Sequence, residues 1–158
     1  MREILFRGKR VDNGKWVYGY YIKATRHWHE RGVHEDWIAT DTIQNGGWCN
    51  VREKYAVIPE TVVQYTGLTD KNGKKIFEGD IVKNDWCFAH GNSVVKFGQY
   101  KPLDMSNDYQ QGHLGFYLEH IHKADKGSMR KDIMYFANSC EIVGNIHDNK
   151  LEDFQNGC

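Results

Sequence analysis

Two His-x-His units are the groups in this sequence whose spacing best suits chemistry, H-W-H at residues 27–29 and H-I-H at residues 120–122. On a β-strand, residues i and i+2 share a face about 7 Å apart, so two such imidazoles could reach one metal ion if a third ligand joined them. His34 and Asp36 follow the first unit, but neither unit has a clear third ligand. We therefore expect no metal, and a metal-dependent enzyme using these pairs is our second alternative.

Carboxyl and thiol groups give no stronger catalytic pattern. Glu78 and Asp80 could share a strand face as an acid–base pair, but an Asp directly after Gly more often accepts hydrogen bonds from nearby backbone amides. Cys87 and His90 fall in an expected loop, with no residue placed to orient a base. The four cysteines form no C-x-x-C pair and are read as free thiols. We expect no catalytic residue and no cofactor, so the chain is not an enzyme.

Glycines recur in the stretch QYTGLTDKNGKKIFEGDIV, residues 64–82. Neither G-x-x-x-x-G-K-[ST] nor G-x-G-x-x-G occurs, so this is not a phosphate-binding loop. The residues D-K-N-G at 70–73 have turn chemistry, and G-D at 79–80 opens the next strand. We predict that Gly73, Gly79 and Asp80 are turn residues that serve the fold.

Basic residues form two groups that could bind nucleic acid, one at residues 7–10 and one at residues 71–83. Small β-barrels place aromatic rings beside such charges. The candidate binding residues in the second part are Lys74, Lys83, Trp86 and Tyr100. Acidic neighbours reduce the positive electrostatic potential of these groups, so we favour an ordinary solvated surface. A nucleic-acid-binding small-barrel protein is the first alternative.

Composition sets the broad class. The chain has 158 residues with 21 Lys plus Arg and 21 Asp plus Glu, so no global field draws it to nucleic acid or acidic membranes. With 40% hydrophobic and 13% aromatic residues, it can bury a core. It has no run long enough to span a bilayer, and MREILFRGKR is not a secretory signal. We expect a cytoplasmic protein.

Short apolar runs between turn residues predict an all-β protein of short antiparallel strands. Strands at residues 2–6 and 15–23, joined by V-D-N-G, predict a hairpin. Further strands are expected at residues 35–40, 62–65, 74–77, 81–83, 92–100, 114–121 and 141–147. We expect loops at 24–34 and 101–112. Residues 124–138 fit helical spacing loosely, and a short terminal helix is expected to reach Phe154.

Pro59 breaks the segment YAVIPETVVQYTGL, because proline cannot donate to a central β-ladder. This predicts an N-terminal β part at residues 1–58 and a second part at residues 59–158, as two domains or as one continuous domain.

Both faces of the second strand carry apolar or aromatic side chains. Alternation places Trp16, Tyr18, Tyr20 and Ile22 on one face, and Val17, Gly19 and Tyr21 on the other. We expect both faces to be covered, by the rest of the fold or by a second copy of the chain.

Three blocks of sequence carry a family resemblance: REILFRGKRVDNGKWVYG, IPETVVQYTGLTDKNGKKIFEGDIV and EIVGNIHDN. They resemble the YopX family of phage and prophage proteins. The resemblance implies an all-β protein encoded by a bacteriophage or prophage, with an SH3-like small barrel in its second part and no established activity. Residues 24–54 and 84–138 carry little of the pattern, and any distinct function of this member would lie there.

These observations favour a non-enzymatic binding module in the cytoplasm of a bacterial host, with a host or phage protein as its partner. Nucleic acid as a partner and a homo-oligomer both remain open. No membrane partner is expected.

Overall fold

The structure, a computed structural model, describes residues 3–26, 33–45, 50–84, 91–100, 112–121, 131–132 and 137–154. These residues form eleven β-strands and short 3-10 turns, and all the strand pairings given by residue register are antiparallel. The predicted all-β class is confirmed. No helix in the described ranges is long and apolar enough to cross a membrane. The chain divides into two compact units, Met1–Tyr65 and Thr66–Cys158; the predicted boundary at residues 58/59 stays a prediction.

The first unit is one antiparallel sheet. Its strands run in the order β4-β3-β2-β1-β5, and β5 continues into the second unit. The bounds are β1 Phe6–Lys9, β2 Trp16–Arg26, β3 Val33–Asn45, β4 Asn50–Ala56 and β5 Val63–Thr69. The antiparallel hairpin is confirmed, but its first strand is Phe6–Lys9 rather than the predicted residues 2–6, and residues 3–5 are not part of a strand. Its turn is closed by hydrogen bonds from the Gly14 N–H to the Arg10 carbonyl and from the Arg10 N–H to the Lys15 carbonyl, both 2.9 Å.

Strands β2 and β3 are longer than predicted. They pair from Tyr20 opposite Ala39 to Arg26 opposite Val33, so the loop predicted at residues 24–34 is wrong at both ends. The central residues, 27–32, lie outside the described residues. The polar sequence concealed the strands because pairing with a neighbouring strand overrides local propensity.

The first unit has buried residues on both faces of its sheet. On one face, Arg7 of β1 and Val63 of β5 lie opposite each other and are buried. On the other face, Val17, Ile38 and Val57 are buried, with Phe6 and Tyr55 packed against them. Gly19 allows close approach on this face, since a Cβ at that position would overlap the Ala39 carbonyl. After β4, a 3-10 turn at Pro59–Thr61 breaks the extended chain as predicted, before β5 begins.

The second unit contains the end of β5 and six further strands. They are β6 Lys75–Phe77, β7 Asp80–Asn84, β8 Gly91–Tyr100, β9 His113–His120, β10 Lys131–Asp132 and β11 Cys140–Asn145. Strand β6 pairs with β5, and the others form an open sheet in the order β10-β9-β8-β7-β11. Its edge strands β10 and β11 are not paired with each other in the described residues, so the SH3-like barrel stays a prediction.

Two segments near the end of the chain differ from the helices expected there. Lys131–Asp132 pair with β9 and are a strand, so the helical interpretation of residues 124–138 is wrong at these positions. Ala137–Ser139 form a 3-10 turn, and so do Leu151–Phe154 in place of the terminal helix. The other residues of the predicted helical segment, 124–130 and 133–136, lie outside the described ranges.

The sheet of the second unit is covered on both faces at β7. Val82 packs with Ile76, Val95 and Leu118 in one buried cluster. Its neighbour Ile81 points the other way, into a cluster with Val94, Ile121 and Phe154. Adjacent apolar pairs at 81–82 and 94–95 are the pattern expected of strands buried on both faces.

One buried carboxylate joins the turn after β5 to β11. Asp70 is 4% exposed, and its Oδ1 accepts hydrogen bonds from the N–H groups of Asn72 and Lys74, both 2.9 Å. Its Oδ2 accepts one from the Ile142 N–H at 3.2 Å. Burial acts to raise the pKa of Asp70, but the donors at Lys74, Ile142 and Asn72 outweigh it and lower the pKa below its ordinary value of 3.8.

Asp70→Asn is expected to destabilise the second unit by about 1–3 kcal/mol, because one of the two acceptor oxygens becomes an NH2 group that faces a backbone N–H. Urea unfolding of both proteins at pH 7 measures this loss.

The same variant gives a pH test. Because the folded-state pKa of Asp70 lies below the unfolded value, its ionisation stabilises the fold fully above the unfolded pKa, and this contribution is lost as the pH falls through the folded pKa. The stability difference between the native chain and Asp70→Asn should therefore narrow below about pH 4. A difference that stays constant between pH 7 and pH 3 would contradict this role.

Candidate functional site

One face of the first unit's sheet exposes a row of large side chains. On β2, Tyr18 is 48% exposed, Tyr20 43% and Ile22 44%. The buried cluster that contains Val17 and Ile38 packs on the other face of β2. Within the part of the chain that the structure describes, the rest of the fold does not cover this row, and cover by a second copy of the chain stays a prediction.

Cross-strand register shows which side chains share this surface. Arg7 lies opposite Tyr18, Lys9 opposite Trp16 and Trp37 opposite Ile22. On β4, Lys54 lies opposite Ala39, which is itself opposite Tyr20, and Arg52 lies opposite Ile43. We call this surface the open face and define it by Arg7, Lys9, Trp16, Tyr18, Tyr20, Ile22, Trp37, Ile43, Arg52 and Lys54.

Cations and rings are interleaved across the open face. Three of its rings have a cationic group within about 6 Å of the centroid, the range of cation–π attraction. The distances are 4.6 Å for Arg7 to Trp16, 5.5 Å for Lys9 to Trp16, 5.3 Å for Arg52 to Tyr20 and 5.0 Å for Lys54 to Trp37. Arg7 is buried and Lys9 half-buried, while Arg52 and Lys54 are exposed.

The open face has more cations than acids. Glu35 lies on the same side and accepts a hydrogen bond from Nε1 of Trp37 at 3.2 Å. Asp41 forms an exposed ion pair with Arg52 at 3.0 Å. Among the described residues of this face, these two carboxylates stand beside four cations, of which Arg7 is buried, Lys9 is half-buried, and Arg52 and Lys54 are exposed.

On the covered face of β2, Tyr21 forms a hydrogen bond with Asp36. This bond, with burial and the negative charge of Asp36, raises the pKa of Tyr21 to about 12. The hydroxyl of Tyr21 and the carboxylate of Asp36 are therefore hydrogen-bonded to each other on the covered face. The side chains of β2 that lie on the open face are those at even-numbered positions.

A cleft of about 580 Å³ is the second candidate site, and it lies within the second unit. Its walls include Phe97, Ile146 and Leu151, with Glu78 and His120 as polar groups. Burial raises the pKa of the Glu78 carboxyl, although the Phe97 N–H donates a hydrogen bond to it. The cleft has the size and polarity of a small-ligand site.

Among the described residues near this cleft, a serine and a histidine are in contact. Ser93 Oγ lies 3.5 Å from Nδ1 of His120, which is a long hydrogen bond, and Ser93 is 2% exposed, so its hydroxyl is shielded from solvent. Among the described residues, no group of three His, Cys, Asp or Glu side chains is placed to hold a metal ion. The unit at residues 27–29 and His122 lie outside those residues, as do Cys87 and His90.

The four binding residues predicted in the second part have different surroundings. Lys74 is exposed in the turn after β5, and Lys83 is exposed on β7. Tyr100 is 4% exposed and stacks on Tyr117 with a centroid distance of 5.2 Å, so it does not offer an exposed ring. Trp86 lies outside the described residues.

The predicted turn residues bond to the backbone around them. Gly73 has φ +78° and donates its N–H to the Asp70 carbonyl at 2.9 Å. Gly79 has φ +77°, donates to the Val95 carbonyl at 2.8 Å and accepts from the Ile146 N–H at 2.9 Å. Asp80 is 1% exposed, and its Oδ2 accepts from the Phe77 N–H at 2.8 Å.

Sequence reasoning did not identify Arg52 and Lys54 as members of the open face. Their position depends on the register of β3 against β4, which shifts between Ala39 and Ile43. The alternation of aromatic residues on β2 was a usable signal, but it did not show which face the core would cover.

The fold and its surfaces define a two-unit, all-β protein with an exposed aromatic and cationic sheet face. The sequence matches the family described as YopX protein over residues 5–152, nearly the whole chain, and the chain belongs to this family. A comparison with curated proteins gives no match.

The two glycines allow a matched stability test. A Cβ at Gly79 would lie 3.2 Å from Cγ1 and 3.3 Å from Cδ1 of Ile146, whereas a Cβ at Gly73 would meet nothing within 4 Å. Both alanine variants incur the strain of a positive φ, but Gly79→Ala should be the more destabilising by about 1 kcal/mol because it also crowds Ile146. Urea unfolding of the two variants measures the difference.

Adding Ile146→Ala to Gly79→Ala should recover part of the loss. Equal losses for Gly79→Ala and Gly73→Ala would contradict the crowding at Ile146.

Cys140 is expected to be chemically inert in the folded chain. It is fully buried, its Sγ donates to the Ala137 carbonyl at 3.3 Å, and burial together with the charge of Asp70 raises its pKa to about 11. Iodoacetamide at pH 8, followed by peptide mapping, should leave Cys140 unlabelled until denaturant is added. Labelling of Cys140 at the same rate with and without denaturant would show that the thiol is accessible.

Proposed function

We propose that this YopX-family chain is a non-enzymatic binding module and that the open face is its partner-binding surface. The observation that carries the proposal is the row of Tyr18, Tyr20 and Ile22, each more than two-fifths exposed on one strand. In an antiparallel sheet with one face on the core, the other face is ordinarily polar. A contiguous apolar and aromatic surface is typical of an interaction site.

The composition of the open face supports the same conclusion. Tyr, Trp and Arg are enriched at protein interfaces and among the residues that dominate binding energy, because they combine a large contact area with a polar or charged group. The open face holds all three types.

A binding role also agrees with the chemistry of the described residues. Ser93 and Cys140 are nucleophile types, but both are buried, and the pKa of Cys140 is raised rather than lowered. Activated nucleophiles have the opposite properties, namely access to substrate and a base or a lowered pKa.

Four finer features of this proposal come from the sequence. They are an origin in a bacteriophage or prophage, a place in the cytoplasm of the bacterial host, closure of the second unit as an SH3-like barrel, and a partner that is a host or phage protein, with nucleic acid and a second copy of the chain as the other partners that the sequence leaves open.

Site-specific photocrosslinking in bacterial cells tests the proposal. A benzoylphenylalanine residue replaces Tyr20 on the open face or, as the control, Leu114, which is 71% exposed in the second unit. Adducts should form from position 20 and not from position 114, and Tyr18→Ser in the same chain should weaken them. If position 20 yields no more adduct than position 114, the open face is not the binding surface.

A further inference from the structure

We propose that the open face binds single-stranded nucleic acid through its rings and cations. This inference rests on the proposed function, because it assigns a ligand to the same surface. The first alternative of the sequence analysis used the basic residues of the hairpin, at residues 7–10, together with those of the second part. The present inference keeps Arg7 and Lys9 of the hairpin, omits the second part, and adds Arg52, Lys54 and the rings of the open face.

The charge of the open face favours a polyanion over a second copy of the chain. Four cations lie on this surface with two carboxylates, Glu35 and Asp41. A two-fold dimer joined through this surface would use the same patch on both subunits, so the excess of cations over carboxylates would be present on both sides of the interface. A polyanion can reach the exposed Arg52 and Lys54 directly.

The rings favour bases over other anionic groups. Trp16, Tyr18 and Tyr20 occupy alternate positions of one strand, which places successive rings about 7 Å apart in a line. Aromatic rings in such a line can stack successive bases without regard to sequence. Because a duplex hides its base faces within the stack, the ligand that can use these rings is a single strand.

The interleaving of rings and cations suits a ligand that alternates flat bases with phosphates. Arg52 lies 5.3 Å from the Tyr20 centroid, and Lys54 lies 5.0 Å from the Trp37 centroid. A base stacked at either ring would have its own phosphate within reach of the adjoining cation. An acidic peptide would use the cations but leave the exposed faces of Tyr18 and Tyr20 without a matching group.

The test uses the full chain and a fluorescently labelled dT20 oligonucleotide, with binding followed by anisotropy from 50 to 300 mM NaCl. Each phosphate contact contributes about −0.7 to the slope of log K against log salt, so three or four contacts give a slope of about −2 to −3. A duplex of the same length should bind at least about tenfold more weakly, because its bases cannot stack on the rings.

Two variants separate stacking from charge. Tyr18→Ser/Tyr20→Ser should weaken dT20 binding by about 10- to 100-fold with little change in the salt slope. Arg52→Gln/Lys54→Gln should reduce the size of the slope by about 1.4, because two phosphate contacts are lost.

Matched controls exclude general effects of charge and folding. Lys23 is exposed on β2 but lies on the opposite face from Tyr18 and Tyr20, so Lys23→Gln should leave the slope almost unchanged. Tyr18→Phe/Tyr20→Phe keeps the rings and should retain binding. Thermal unfolding followed by circular dichroism verifies that every variant is folded at the assay temperature.

The outcomes separate this inference from the proposed function. No binding of dT20 at 50 mM NaCl, or an equal loss of slope in Lys23→Gln and in Arg52→Gln/Lys54→Gln, overturns the inference. In the crosslinking experiment, nuclease-sensitive adducts at position 20 support it. Adducts that resist nuclease and contain a second polypeptide overturn the nucleic-acid inference but support the proposal that the open face binds a partner. Absence of adducts at position 20 overturns both the inference and the proposed function.

Discussion

The Asp70 carboxylate is the constraint on which the second unit depends most directly. Its two oxygens accept from N–H groups in the turn that follows β5 and from Ile142 in β11, which is 72 positions further along the chain. The Lys71 N–H also donates to the Cys140 carbonyl at 3.0 Å, so the turn and β11 are joined at two points. Since β11 pairs with β7, this carboxylate links the hairpin of β5 and β6 to the edge of the sheet. A buried carboxylate is stable there because backbone donors replace the water that it loses.

The two units bury their sheets differently, and this difference explains where binding is proposed. In the second unit, Ile81 and Val82 enter separate clusters on opposite sides of β7. In the first unit, Val17 enters the core while Tyr18 and Tyr20 remain exposed. Strands β7 and β2 both carry apolar or aromatic residues on both faces. In the described residues, both faces are covered at β7, whereas one face of β2 is exposed. An aromatic face without a covering layer keeps its full capacity to bind a ligand.

The open face holds its rings in place before any ligand arrives. The Trp16 ring is in contact with the cationic groups of Arg7 and Lys9. The Trp37 ring is in contact with Lys54, and its Nε1 donates a hydrogen bond to Glu35. Such contacts limit rotation of the side chains, so less conformational entropy is lost on binding. They also place positive charge next to the rings of Trp16 and Trp37, an arrangement that agrees with the proposed binding of a ligand with planar bases and phosphates.

The sequence by itself determined the all-β class, the first hairpin, the break at Pro59 and the family, because turn residues and alternation are local signals that survive without knowledge of the fold. It also identified the aromatic row on β2 and the turn chemistry of Gly73, Gly79 and Asp80. Only the tertiary structure decided which face of β2 is open, that Tyr100 is buried against Tyr117, and that Arg52 and Lys54 lie on the same surface as Tyr18 and Tyr20. These outcomes depend on strand register, on the shift between Ala39 and Ile43 and on the packing of distant residues, none of which is encoded in the order of neighbouring residues along the chain.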